Sequence, residues 1–460
     1  MPDGRSQAAP SRVAPARVCA YAVLRRVFEQ GAYCDEALRA AARSLDSRDR
    51  ALAMRLSYGA VQRRATLDHV IEGLAERPVQ RLDPPVLQAL RLGLYELLYT
   101  SGAPGYAVVA DAVQLAKENA RAGHALVNAV LRRAVRDGAP KLLGGLGEAT
   151  AEQAALRHSH PRWLAELWWE ELGAEQARAL MAVDNEPSET ALRANTLVGE
   201  AVAVAAALPV ASHGDPRLPE AIVLDEPFDV HGSPLWQSGA LIAQSRAAML
   251  VGRALAPEPG ERVLDLCAAP GGKTTHLAAL MAGEGEVVAV ERNRTRAGTL
   301  ARTAQRLGAG NVRVEVADAR RPLPSEGDAG RRAFDRVLVD PPCSGLGTLQ
   351  AHPDLRWRMT PQSIPQMAAA GAEILAAAAE VLRPGGVLVY STCTISTTEN
   401  ERLIAAFLDS NPEFRVDDLA TRLRAEGPLG MGSGESCGFV QTLPHRDDTA
   451  GFFIARLHRE

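Results

Sequence analysis

Asp265-Leu266-Cys267-Ala268-Ala269-Pro270-Gly271-Gly272-Lys273-Thr274 ends a short apolar run on a glycine-rich turn. That run, residues 262–266, has the length and composition of a strand buried on both faces. Similar runs follow at 286–291, 312–317, 334–340 and 387–392. Helical stretches start at Lys273 and at Thr295, and another extends from Pro361 to Leu382. This alternation predicts an α/β domain with a doubly wound parallel sheet. Ligands of such sheets bind beyond the carboxyl ends of the strands. Asp265, Glu291, Asp318, Asp340 and Cys393 all fall at those ends. One polar residue there means little, but five in series predict one continuous crevice.

The turn narrows the ligand. It is neither GxGxxG nor a Walker loop, so neither a dinucleotide nor a triphosphate is favoured. Pro270-Gly271-Gly272 allows backbone amides to approach a ligand closely. Glu291 stands where a carboxylate reads ribose hydroxyls, and Asp318 can bond an adenine amino group. A nucleoside without a pyrophosphate cradle points to S-adenosylmethionine. Only Lys117, Lys141 and Lys273 are lysines among 51 basic residues. Lys273 therefore reads as chosen for a compact ammonium charge.

Two thiols converge on this crevice, Cys343 in Asp340-Pro341-Pro342-Cys343-Ser344-Gly345 and Cys393 in Tyr390-Ser391-Thr392-Cys393-Thr394. Carbon-5 of cytosine is too weak a nucleophile to take a methyl group directly. A thiolate adding at carbon-6 turns the ring into a reactive enamine. The later steps need a base and a group to release the thiol. A free thiol has a pKa of about 8.5, so the nucleophile needs local positive charge, which Lys273 and the sulfonium can supply, or proton transfer on attack. Asp340 is placed to bond nitrogen-3 and the exocyclic amine. A lone cysteine after a strand is usually a small buried hydrophobe. Cys19, Cys34 and Cys437 take that reading, and Cys267 reads as loop packing.

The 460 residues allow about three domains. No CxxC pair occurs, which argues against zinc and against a disulfide framework. No apolar stretch reaches the ~18 residues that span a bilayer, and no signal segment is evident. The expected compartment is the cytoplasm, with no metal and no membrane partner. Residues 1–150 carry 21 Lys and Arg against 15 Asp and Glu, and the rest carry 30 against 40. A basic helical part joined to an acidic part points to a polyanion partner at one end or, on charge alone, to a solvated arginine face.

The expected organisation has four parts. These are a disordered tail over 1–11, an all-α domain over 12–140, a small α+β linking subdomain over 150–235, and the α/β domain over 236–460. Leu87, Leu90, Leu94, Leu97 and Leu98 recur at helical spacing and predict core, which leaves function to the arginine face. Gly138-Ala139-Pro140 and Gly144-Gly145 mark a linker, and a helix is expected from Trp163 to Leu180. His158 and His160, with no third ligand nearby, predict a helix-entry or surface role before Pro161. Ser396-Thr397-Thr398-Glu399 predicts a capping box opening the helix after the fifth strand, with Glu399 purely structural.

The glycine loop, the Cys343 and Cys393 segments, His352-Pro353-Asp354 and Glu399-Asn400-Glu401 together resemble the bacterial small-subunit ribosomal RNA methyltransferase B group (Fmu/Sun type). That group belongs to the RNA cytosine-carbon-5 methyltransferases of Rossmann-like fold. Leu90 to Leu98, Ala107 to Val113 and Val127 to Arg133 are similar to the NusB-type RNA-binding domain that the group carries. The resemblance implies that Cys393 is the nucleophile, that Cys343 assists proton removal or product release, and that Asp340 contacts the base. It implies that S-adenosylmethionine is bound by Cys267, Ala268, Ala269, Pro270, Gly271, Gly272, Lys273, Glu291, Arg296, Asp318 and Asp340. Glu291, Pro341 and Gln244-Ser245 depart from the commoner residues of the group. The expected substrate is unassembled 16S ribosomal RNA, with transfer RNA or another RNA as the alternative. DNA cytosine methylation, amino-group methylation and a non-enzymatic RNA-binding factor are the remaining rivals.

Overall fold

The computed structural model describes residues 13–321, 334–419, 421 and 438–460. The tail expected at 1–11 and Cys437 lie outside the described residues. The chain forms two compact units. One runs to Glu186 and also takes in Leu349–Arg358; the other comprises Pro187–Thr348 and Met359–Glu460. The stretch 150–235 is divided between them.

The first unit is helical: α1 (Pro15–Gln30), α2 (Cys34–Ala41), α3 (Ser47–Gln62), α4 (Arg64–Ala75), α5 (Pro84–Tyr99), α6 (Gly105–Asn119) and α7 (His124–Leu143), then α8 (Ala151–His158), α9 (Arg162–Leu172) and α10 (Ala174–Val183). Proline opens α1 and α5, where its missing N–H costs nothing. The predicted leucine stripe is core: Leu90 and Leu94 are fully buried, with Leu87, Leu97 and Leu98 packed against them. Three local readings are corrected here. The linker at 138–145 is helix as far as Leu143, kinked at Gly138. The single helix expected from Trp163 to Leu180 is broken at Gly173, whose φ of 80° suits glycine. His160 is buried rather than superficial, with its ring within 2.9 Å of the His158 carbonyl and 3.3 Å of Asp184.

Leu349–Arg358 follows the Cys343 segment in sequence yet packs within the helical unit. Arg356 is fully buried and donates to the Asp184 and Ser159 carbonyls and to Asn185 Oδ1. Trp357 Nε1 donates to the Val61 carbonyl at 2.7 Å.

The second unit begins with a small antiparallel sheet of β1 (Ala191–Ala194), β2 (Ser212–Asp215), β3 (Leu218–Leu224) and β4 (Leu241–Ala243), in the order β2-β3-β1-β4. The large sheet follows. Its strands β5 (Arg262–Leu266), β6 (Glu286–Val290), β7 (Val312–Glu315), β8 (Phe334–Val339) and β9 (Leu382–Thr392) are parallel in the order β9-β8-β5-β6-β7. Each predicted strand is present. Leu338 and Val263 face one apolar layer, and Val337, Val339 and Leu264 face the other. Both faces are thus covered, which explains the unbroken apolar runs. Three further strands were not expected from the sequence: β10 (Phe414–Val416), β11 (Val440–Gln441) and β12 (Phe453–Arg459). These extend the sheet antiparallel beyond β9.

Candidate active site

The glycine turn joins β5 to the helix Gly272–Leu280. Gly271 has a φ of 104°, and a Cβ there would come within 2.6 Å of Leu300 Cδ1, so both conformation and space favour glycine. Asp265 lies inside β5 rather than past its end, and is buried. Thr274 Oγ1 donates to its Oδ2 at 2.6 Å, while Oδ1 has no partner among the described residues. Burial pushes the Asp265 carboxyl up to about 7, against the Thr274 hydrogen bond. Cys267 adopts a φ of 65° and packs against the apolar layer behind the sheet. Burial, with Asp340 and Asp265 close by, pushes its thiol up to about 12 and leaves it inert.

The remaining cofactor candidates sit at the next two strand ends. Glu291 immediately follows β6, and its Oε1 accepts the Asn293 N–H at 2.8 Å. Arg296 donates to the Ala269 carbonyl at 2.9 Å and lies 3.6 Å from Glu291, tying loop to carboxylate. Asp318 lies three residues past β7. The Arg320 guanidinium and backbone N–H hold it well below the usual carboxylate range.

Sequence reasoning missed Arg193 on β1. It is 1% exposed and donates to Gln244 Oε1, to the Gly272 carbonyl at 2.7 Å and to Thr275 Oγ1. Burial lowers its pKa to about 9. This buried arginine braces the start of the glycine-loop helix from the small sheet. In a chain with 48 arginines nothing local marks it out. Ser245, beside Gln244, caps the helix Arg246–Leu255 by accepting the Ala248 N–H.

The thiols meet. Cys343 Sγ and Cys393 Sγ are 3.3 Å apart, although 50 residues separate them. Asp340 follows β8 directly; its Oδ2 accepts from Lys273 Nζ at 2.9 Å and its Oδ1 from Ser391 Oγ at 3.0 Å. Lys273 also stands 5.0 Å from the Phe452 ring centroid. Burial works against the Lys273 charge, but Asp340 outweighs it and raises the pKa. The two thiols are driven apart in acidity. The hydrogen bond from Cys343, aided by the Lys273 charge, pulls Cys393 down; that same bond and burial push Cys343 well up. Cys393 is the thiol poised to ionise. Iodoacetamide is expected to alkylate Cys393 first, with a rate that rises with pH around a midpoint below that of free cysteine. Mass spectrometry of tryptic peptides reads this, and preferential labelling of Cys343 would contradict it.

Among the described residues, no group of three His, Cys, Asp or Glu side chains could hold a metal ion, and no helix is long and apolar enough to cross a membrane.

Residues 252–458 match the family model described as 16S rRNA methyltransferase RsmB/F. Residues 14–136 match the NusB family, and 160–231 the ferredoxin-like domain of RsmF/B-type methyltransferases. The "probable ribosomal RNA small subunit methyltransferase B" of Synechocystis is 36% identical, over 96% of this chain and 99% of that protein. The chain belongs to the RsmB/F methyltransferase family. It is a ribosomal RNA methyltransferase, and the methyl donor its family implies is S-adenosylmethionine. The protein of the same description from Bacillus subtilis is 34% identical, over 96% of this chain and 98% of that one. The solved structure of PH0851 superposes with a TM-score of 0.77 at 27% identity, covering 97% of this chain and 99% of that one.

Proposed function

We propose that this RsmB/F methyltransferase modifies carbon-5 of a cytosine in 16S ribosomal RNA through a covalent bond between Cys393 and carbon-6. The observation that carries this reading is the thiol pair beside the Lys273–Asp340 ion pair. The donor set fits a sulfonium nucleoside: Glu291 and Asp318 offer acceptors for hydroxyl and amino groups, and Asp265 keeps a buried oxygen without a partner among the described residues. Open space lies over Gly272, where an added Cβ would find only Gln244, 3.8 Å away. The loop from Cys267 to Lys273, with Glu291, Arg296, Asp318 and Asp340, would hold S-adenosylmethionine. When bound, that group supplies an electrophilic methyl.

The chain's own residues do the rest. The Cys393 thiolate bonds carbon-6, and the π pair moves to carbon-5. Asp340 orients the ring by accepting from the exocyclic amine, and from nitrogen-3 when that nitrogen carries a proton. Once carbon-5 carries its methyl group, Cys343 helps remove the carbon-5 proton. The electrons of that C–H bond restore the ring double bond, and the Cys393–carbon-6 bond breaks with its pair returning to sulfur. The target base must be unstacked to reach the thiols, which costs least in unpaired RNA. The deciding experiment incubates the protein with labelled S-adenosylmethionine and protein-free 16S RNA, then identifies the methylated nucleoside. 5-Methylcytidine is expected; a different nucleoside, or label only in transfer RNA, would overturn the substrate or the chemistry.

In this reading residues 12–140 bind RNA, 150–235 link, and 236–460 catalyse in the cytoplasm. Arg17 and Arg91 are tied up with Glu96 and Asp68. Arg39, Arg43, Arg48, Arg50 and Arg55 on and around α2 and α3 are exposed, Arg39 with Asp35 3.8 Å away and Arg50 donating to the Leu45 carbonyl, and they form the face that would meet phosphates. RNA affinity is expected to fall with salt, by a log–log slope of about −0.7 per phosphate contacted. Replacing these five arginines with alanine should flatten that slope by two or more. An unchanged slope would remove the role from this face.

A further inference from the structure

The clearest departure from the local sequence pattern is at Glu399. The capping box does not form: the helix runs over Glu401–Ser410 with Asn400 at its N-cap position. The Glu399 side chain is instead 1% exposed and reaches back to the Cys343 turn. Its Oε1 accepts the Ser344 N–H at 2.8 Å, and its Oε2 accepts from Ser344 Oγ at 2.5 Å and from Thr394 Oγ1 at 3.4 Å. Ser344 and Thr394 also bond each other, at 2.7 Å. These are the residues that immediately follow Cys343 and Cys393. One carboxylate therefore contacts both cysteine turns, one residue beyond each thiol.

We infer that Glu399 is a positioning residue that clamps the two cysteine turns together and so sets the separation of the thiols; for its effect on catalysis this rests on the function proposed above. Its surroundings make the clamp stiff. The Tyr390 hydroxyl donates to the Glu399 carbonyl at 2.7 Å. Asn400, next in the chain, accepts from Thr392 Oγ1 and donates to the Thr394 carbonyl. Ser344, Thr394, Glu399 and Asn400 are each 1% exposed or less, so water cannot replace these bonds. The Glu399 charge also opposes ionisation of both thiols, which sharpens their competition for one proton. A residue that only capped a helix would have none of these links to the cysteines.

Phenylarsine oxide tests the clamp without RNA, because it binds strongly only where two thiols can close on one arsenic. The full-length protein is expected to take up one equivalent, and Cys343→Ala none. Glu399→Ala should weaken capture at least tenfold while S-adenosylmethionine affinity stays within about twofold. Glu399→Gln keeps an acceptor for the Ser344 N–H and should restore most of the capture. Ser344→Ala, which removes one hydroxyl and keeps the fold, should give an intermediate loss if Glu399→Ala proves unstable. With RNA, Glu399→Ala should lower kcat at least tenfold with little change in KM. Wild-type capture by both Glu399→Ala and Ser344→Ala would overturn the clamp. Weakened capture in a protein whose wild type methylates no cytosine would keep the clamp and reject the proposed reaction instead.

Discussion

Cys393→Ala is expected to abolish methyl transfer, by at least roughly 10⁴-fold, and with it any covalent RNA adduct. The expectation follows from the chemistry. Without a thiolate at carbon-6, carbon-5 stays aromatic and cannot attack a sulfonium. The residue is the one of the pair pulled toward ionisation, by its bond to Cys343 and by Lys273. The change removes a single sulfur from a partly buried position at the end of β9, so the fold and the cofactor loop should survive. Adduct is read as a shifted band on denaturing gels and methylation as incorporated label, with S-adenosylmethionine affinity as the control for folding. An adduct that persists in Cys393→Ala would transfer the nucleophile to Cys343.

Cys343→Ala should give the opposite phenotype. Attack and methyl transfer can proceed, but the group that helps take the carbon-5 proton is gone. General acid–base assistance is worth about 10²–10⁴-fold, so release should slow by that order and enzyme–RNA adduct should accumulate. Burial and the bond to Cys393 keep this thiol protonated in the resting protein. Once the Cys393 thiolate is consumed in the bond to carbon-6, the hydrogen bond and negative charge that raise the Cys343 pKa are gone, so Cys343 gives its proton to water and, as the thiolate, takes the carbon-5 proton. The double variant should form no adduct at all. Rapid turnover by Cys343→Ala without accumulation would reduce Cys343 to a packing role and leave proton removal to another group.

The parts of the site that were legible in the sequence share one property: each is announced by its neighbours in the chain. The glycine turn follows its strand directly, Glu291 and Asp340 follow theirs, and each catalytic candidate sits in a short distinctive segment. Readings failed where the partner lies far along the chain. Glu399 has the spacing of a cap, yet its carboxylate bonds a residue 55 positions earlier. His160 looked superficial because Asp184, Trp168 and the buried Arg356 that enclose it come from later segments. Arg193 is one arginine among 48 until its contact with the Gly272 carbonyl is seen.

The amino-acid sequence by itself determined the parallel sheet, the places of Glu291 and Asp340 just past their strands, the two cysteine segments and the helical N-terminal part. These follow from periodicity, breakers and composition, which act over a few residues. Only the tertiary structure decided that the thiols stand 3.3 Å apart, that Lys273 serves Asp340, that Glu399 joins both cysteine turns, and that Leu349–Arg358 packs with the helices. Hydrogen bonds and burial join side chains across any sequence separation. Which buried polar groups satisfy one another is therefore settled only when the elements pack.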